Sequence, residues 1–269
     1  MRVIRCILSL VTVMLAGVLA QAQEPDGSRP KRIHVVVALC DNDYQGIVKV
    51  GAKIGNGDEP YQNLYWGCSD GLWRHFAKSS DWKLIDSKKV KKAAESDDPL
   101  AGTTVLETLT YRHTSANAVL VAEAWRGREI KGATVRFLEL LQSNAEDAPD
   151  LVAYIGHNGL MDFKLPDRAT DSAPPSSEPV AKKRKDAVVL CCKSNAYFDG
   201  KLSAYGARPI LMTEQLMYPG SFLLKAALDG WLAGETRTEI RERAARAYAM
   251  NQGISTKAAR GVFSDLDGE

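Results

Sequence analysis

The chain has 269 residues, with 35 lysines and arginines against 33 aspartates and glutamates and a formal net charge of +2. That balance lacks the basic excess by which nucleic-acid binders neutralise phosphate, so no nucleic-acid partner is expected. Five cysteines at this length are too few for a disulfide scaffold, and a hydrophobic fraction of 45% is enough for a sizeable core.

In chain order, the first element is an export signal. Arg2 and Arg5 precede an apolar run, CILSLVTVMLAGVLA, that ends in Ala20-Gln21-Ala22, the order a signal peptidase cuts. The run is short for a membrane span, which needs about 20 residues. An uncleaved anchor is the competing reading. Cleavage after Ala22 leaves 247 residues and brings the formal charge to 0, because Arg2 and Arg5 leave alone. The expected organisation is a signal peptide at 1–22, a linker at 23–32 and one domain at 33–269. The expected location is periplasmic or extracellular, with no stable membrane span after cleavage.

IHVVVALC, residues 33–40, is a continuous β-branched run of the kind that forms a strand covered on both faces, and it empties into Asp41-Asn42-Asp43. A glycine-rich loop over 46–57 follows. The stretch 63–79 carries Trp66, Leu72, Trp73 and Phe76 and predicts a helix, and WKLI at 82–85 predicts a short strand. Residues 88–102 read as a charged surface connection. TVLETLTYR and AVLVAEAW predict two strands or a hairpin, and 128–145 predicts a helix that presents Ile130, Ala133, Phe137, Leu138 and Leu141 to a sheet.

LVAYIGHNGL at 151–160 and AVVLCCKSNAY at 187–197 each run an apolar strand into reactive side chains, His157 in the first and Cys191 and Cys192 in the second. Between them, 164–186 is rich in proline and serine and ends in AKKRK, which predicts a mobile loop. A cut near Lys185 by the protein itself is the sharper reading of that basic run, and a solvated loop is the plainer one. PILMT at 209–213 and helices at 220–233 and 235–249 complete the chain. Strands alternating with helices predict an α/β three-layer sandwich with a mostly parallel central sheet and helices on both faces.

A thiol is a weak nucleophile until ionised, and an imidazole within reach is its natural activator. Alternation sends Cys191 and Cys192 to opposite faces, so one packs and at most one reacts. Backbone N–H groups of Asn158 and Gly159 are candidates for holding an oxyanion. The four histidines, at 34, 75, 113 and 157, form no metal-ligand spacing and there is no C-x-x-C, so neither a metal nor a cofactor is expected. Cys40 and Cys68 could pair in an oxidising compartment.

From about residue 128 to 249 the chain resembles the caspase, legumain, gingipain and separase group of cysteine peptidases. The resemblance rests on Ala133-Thr134 in a helix, Gly156-His157-Asn158-Gly159, Cys191-Cys192-Lys193-Ser194, and Tyr205-Gly206-Ala207-Arg208 leading into PILMT. It implies an exported cysteine endopeptidase that acts on a peptide or protein, with His157 as base and Cys192 as nucleophile. Asn158 stands where the group has glycine. Loops after the first strand and after PILMT would carry specificity. There Asp41, Asp43 and Glu214 are the candidate substrate-binding carboxylates, and they would favour a basic side chain. A catalytically inactive member that binds a peptide or protein partner is the alternative, and a thiol redox protein is a third.

Overall fold

A computed structural model describes residues 29–90, 100–165 and 184–267. The signal segment, the linker up to residue 28, most of the 88–102 connection and residues 166–183 lie outside the described residues. The described chain is α/β, built on one seven-stranded mixed sheet. In chain order the elements are β1 (Lys31–Ala38), α1 (Leu72–Ala77), β2 (Trp82–Lys89), β3 (Val105–His113), β4 (Ala118–Trp125), α2 (Ile130–Gln142), β5 (Leu151–Ile155), β6 (Asp186–Leu190), α3 (Ser194–Ala204), β7 (Arg208–Leu211), α4 (Ser221–Ala233), α5 (Arg237–Gln252) and α6 (Thr256–Arg260).

The sheet order is β2-β3-β4-β1-β5-β6-β7. Strands β4, β1, β5, β6 and β7 pair in parallel, whereas β3 runs antiparallel to both β2 and β4. The expectation of a mostly parallel sheet therefore holds in the centre and is corrected at one edge. The reason is connection length: only four residues separate His113 from Ala118, and a parallel crossover needs a dozen or more.

The parallel strands are apolar on both sides because both sides are covered. On one face Val35, Val37, Leu39, Ile155 and Leu190 pack with residues of α1, α4 and α5. On the other, Val36, Ala38, Tyr154 and Val189 pack with Phe137 and Leu141 of α2 and Phe198 of α3. Helix α2 buries Ile130, Ala133, Phe137, Leu138 and Leu141 as its spacing predicts, together with Thr134 and Leu140.

Two expectations are corrected. The helix expected over 63–79 contracts to Leu72–Ala77, because the Asn63 side chain ties the preceding stretch into a folded loop. Asn63 Oδ1 accepts from Cys40 N at 3.0 Å and Tyr65 N at 3.1 Å, while its Nδ2 donates to Cys40 O at 2.8 Å and Asn56 O at 3.0 Å. β2 runs on to Lys89 through charged residues. It is an edge strand whose residues after Trp82 are exposed, so the pleat need not be apolar.

Polar staples fasten the amino ends of the parallel strands. Asp186 receives both a two-pronged Arg208 guanidinium, at 2.6 and 2.9 Å, and Trp231 Nε1 at 2.7 Å. Lys185 is 8% exposed, and its ammonium donates to the carbonyls of Leu140 and Ser143. It thereby satisfies acceptors that the end of α2 leaves open. A self-inflicted cut at Lys185 would have to reach a buried residue at the start of β6. At Lys185 itself the solvated-loop reading is corrected as well, because the residue is buried against the end of α2; residues 181–183 of the basic run lie outside the described residues.

Between the sheet and α2, Glu123 accepts from Trp125 Nε1 at 2.8 Å and Arg136 at 3.1 Å and pairs with His34 Nε2 at 2.8 Å. Burial works against its ionisation, but these partners hold its carboxyl down from the usual 4.5 to about 2. The contribution of a depressed carboxyl is present above about pH 4.5 and is lost as the pH falls toward 2. Glu123→Gln should lower stability at pH 7 by about 2 kcal/mol and flatten the loss between those two values, read by urea titration at pH 7, 4 and 3.

Candidate active site

Strands β5 and β6 pair from Leu151↔Asp186 to Ile155↔Leu190. His157 and Cys192 each follow two residues after the last pair, at the carboxyl edge where an open parallel sheet receives ligands. The chains stay together past the last ladder pair. Gly156 N donates to Leu190 O at 3.3 Å, and Asn158 Nδ2 donates to Cys192 O at 2.7 Å. The two strand ends singled out by sequence are therefore neighbours.

Alternation sorts the paired cysteines. Cys191 is fully buried with Tyr154 and Phe198, and burial pushes its thiol well above the ordinary range. It is a packing residue. Cys192 emerges on the opposite side and is partly exposed. Its Sγ lies 3.5 Å from Met217 O and accepts from Met217 N at 3.4 Å, in the loop after β7. The four described cysteines are free thiols, so Cys40 and Cys68 are unpaired. Cys40 is buried and its thiol is pushed up to about 12, chiefly by desolvation.

The turn after Cys192 stores strain. Lys193, at φ 50° and ψ 40°, is the one non-glycine residue with positive φ among the described residues. Such a conformation costs on the order of 1–2 kcal/mol and persists only when its surroundings impose it. Here the loop after β7 does so. Lys193 N donates to Gln215 O at 3.0 Å, Ser194 N to Thr213 Oγ1 at 3.0 Å, and Asn195 N to Thr213 O at 3.0 Å. Thr213 Oγ1 also donates to Cys191 O, and Ser194 Oγ to Val189 O at 2.9 Å. This imposed strain lies directly beside the partly exposed thiol, which makes the turn part of the candidate site.

His157 is held at its backbone and at its ring. Tyr154, buried between Phe137 and Phe198, donates its hydroxyl to His157 O at 2.9 Å. His157 Nε2 lies 2.8 Å from Asp162 Oδ2, and the ring is 6% exposed. Among the described residues Nδ1 makes no hydrogen bond, and none joins His157 to Cys192.

Asn158 explains its own departure from the expected glycine. It has an ordinary φ of −78°, its Oδ1 accepts from Leu160 N at 3.1 Å to cap the turn Gly159–Met161, and its Nδ2 reaches Cys192. The side chain ties the two strand ends together, which glycine could not do. Of Gly156, Asn158 and Gly159, only Gly156 takes a positive φ. Among the described residues the backbone N–H groups of Asn158 and Gly159 have no backbone acceptor, and both residues are buried.

The three candidate specificity carboxylates do not converge. Asp41 and Asp43 line a cleft of about 300 Å³ with Tyr44, Lys49, Asp58 and Arg128. Asp41 is buried, which raises its carboxyl pKa against the pull of the Asp43 and Tyr44 amides, 3.0 and 3.2 Å from its Oδ1. Asp43 is exposed, 3.9 Å from Lys49. Glu214 is exposed elsewhere and accepts from Asn195 Nδ2 at 2.9 Å. Two cations share the acidic cleft, so a basic ligand has competition for its carboxylates.

Sequence reasoning passed over Asp162, Tyr154, Thr213 and Met217. Asp162 carried one available signal, a carboxylate five residues past the histidine after a Gly-containing turn. Thr213 and Met217 carried none, because their roles depend on β7 lying beside β6. Among the described residues no group of three histidine, cysteine or acidic side chains could hold a metal ion, and no helix is long and apolar enough to cross a membrane. No protein-family model, no curated protein and no solved structure matches this chain.

Proposed function

We propose that the protein is an exported cysteine endopeptidase of caspase-like fold that cleaves a peptide substrate through Cys192 and His157. The observation that supports this reading is the β5–β6 pairing, which brings the strand end carrying His157 beside the strand end carrying the partly exposed Cys192 thiol. His157 takes the Sγ proton as the sulfur attacks the scissile carbonyl carbon, with the Asn158 and Gly159 amides facing the oxyanion. Collapse of the tetrahedral species breaks the C–N bond, and His157 returns the proton to the leaving amine. Water, deprotonated by the same ring, then hydrolyses the thioester and restores the thiol.

A second reading, a peptide- or partner-binding protein without turnover, draws support from the Met217 backbone. Both its polar groups engage the Cys192 sulfur where the dyad would need His157. Alkylation separates the two. Under reducing conditions a peptidyl acyloxymethyl ketone library should label Cys192, and labelling should fall at least roughly tenfold in His157→Ala. Equal labelling in both proteins would sink the dyad, and a silent thiol in both would favour the binding protein.

A further inference from the structure

Asp162 Oδ2 is shared. It lies 2.8 Å from His157 Nε2 and accepts from Gly46 N at 2.9 Å, so one oxygen joins the histidine to the loop that follows β1. An ionised carboxylate only accepts hydrogen bonds, and a neutral imidazole has a single N–H. The contact therefore places that hydrogen on Nε2 and leaves the lone pair on Nδ1, the nitrogen a base would use. Gly46 holds the carboxylate in turn. A methyl group at position 46 would sit 2.3 Å from Asp162 Oδ1, so the Asp162 carboxylate would have to move from its present place for the loop to close. This loop also carries Asp41, Asp43 and Lys49 of the 300 Å³ cleft.

The geometry points to Asp162 as the positioning residue of the site: it fixes the tautomer and ring orientation of His157, and closure of the 41–46 loop through Gly46 keeps it in place. This rests on the reading of His157 as the base, and it supplies the third group that orients a base in nucleophile–base–orienter arrangements. The hydrogen bonds of Asp162 go to His157 and Gly46, not to the sulfur. Its effect passes entirely through the ring.

The test reads the ring directly. In the 15N-labelled chain, with the His157 signals assigned by comparison with His157→Gln, the wild type at neutral imidazole should show the Nε2–H tautomer. Asp162→Asn should move the signals toward the Nδ1–H form, and Gly46→Ala should move them the same way by less. Where peptide hydrolysis is measurable, Asp162→Asn should lower kcat by roughly 10- to 1,000-fold with KM within about twofold, and Asp162→Glu should recover part of the loss. His157 signals that stay in place in Asp162→Asn would overturn the proposal, as would a loss confined to KM. If the wild-type thiol is unreactive, the endopeptidase reading fails, and the tautomer shift still decides the role of Asp162.

Discussion

Hydrolysis is expected to fall by roughly 10⁴-fold or more in Cys192→Ala and by at least roughly 10³-fold in His157→Ala, measured with a fluorogenic peptide library under reducing conditions. The two losses arise differently. Cys192→Ala removes the atom that attacks, so no acyl-enzyme can form. His157→Ala leaves the sulfur in its cradle between the Met217 amide and carbonyl but takes away the base. Losses of groups that act as a unit do not add, so the double variant should match Cys192→Ala. Stability provides the control. Cys192 is partly exposed, and its removal should shift stability by less than about 1 kcal/mol. His157 is buried and bonded to Asp162, so His157→Ala should cost about 1–2 kcal/mol and still fold. Full hydrolysis by Cys192→Ala would end the proposal outright.

The largest effect on stability is expected at Gly156. Its φ of +149° is one that residues with a side chain rarely adopt, and a Cβ there would lie 2.8 Å from Ala38 O and 3.1 Å from Ala38 Cβ. The opposing oxygen belongs to β1, the central strand of the sheet, and cannot swing aside as a flexible side chain would. Strain and clash together should make Gly156→Ala about 3–4 kcal/mol less stable by urea denaturation. Because Gly156 immediately precedes His157, the same substitution should also weaken labelling of Cys192 in the fraction that remains folded. A cost below about 1 kcal/mol would show that the end of β5 is not pressed against β1.

The elements that sequence revealed are those whose period is imposed by two apolar layers. IHVVVALC, LVAYI and AVVL sit between both helical layers and read as unbroken apolar runs. α2 lies on one face and reads at helical spacing. What sequence concealed depends on distant partners. Nothing within residues 63–71 announces that Asn63 is bound to Cys40, so the helix there looks longer than it is. Nothing within DSKK announces a strand, because an edge ribbon needs no apolar face. At the site the same division holds. His157 and Cys192 were visible as strand ends; alternation said only that Cys191 and Cys192 face opposite ways, and the family resemblance chose Cys192. Asp162 escaped notice because its contact depends on the geometry of one short turn. The loop after β7 escaped because only the β6–β7 pairing brings Thr213 and Met217 to the thiol.

The staples at Lys185 and Asp186 bear on what holds the molecule in one piece. β6 lies between β5 and β7 inside the sheet, and its first residues are fastened to α2, β7 and α4 by Lys185, Arg208 and Trp231. The portion beginning at Arg184 is thus bound to the portion ending at Leu165 by the β5–β6 ladder, two apolar layers and the Lys185 ammonium on the Leu140 and Ser143 carbonyls, in addition to the covalent link. Severing the backbone anywhere between those residues would yield two polypeptides on a denaturing gel and still one particle in solution, with the imidazole on one fragment and the thiol on the other.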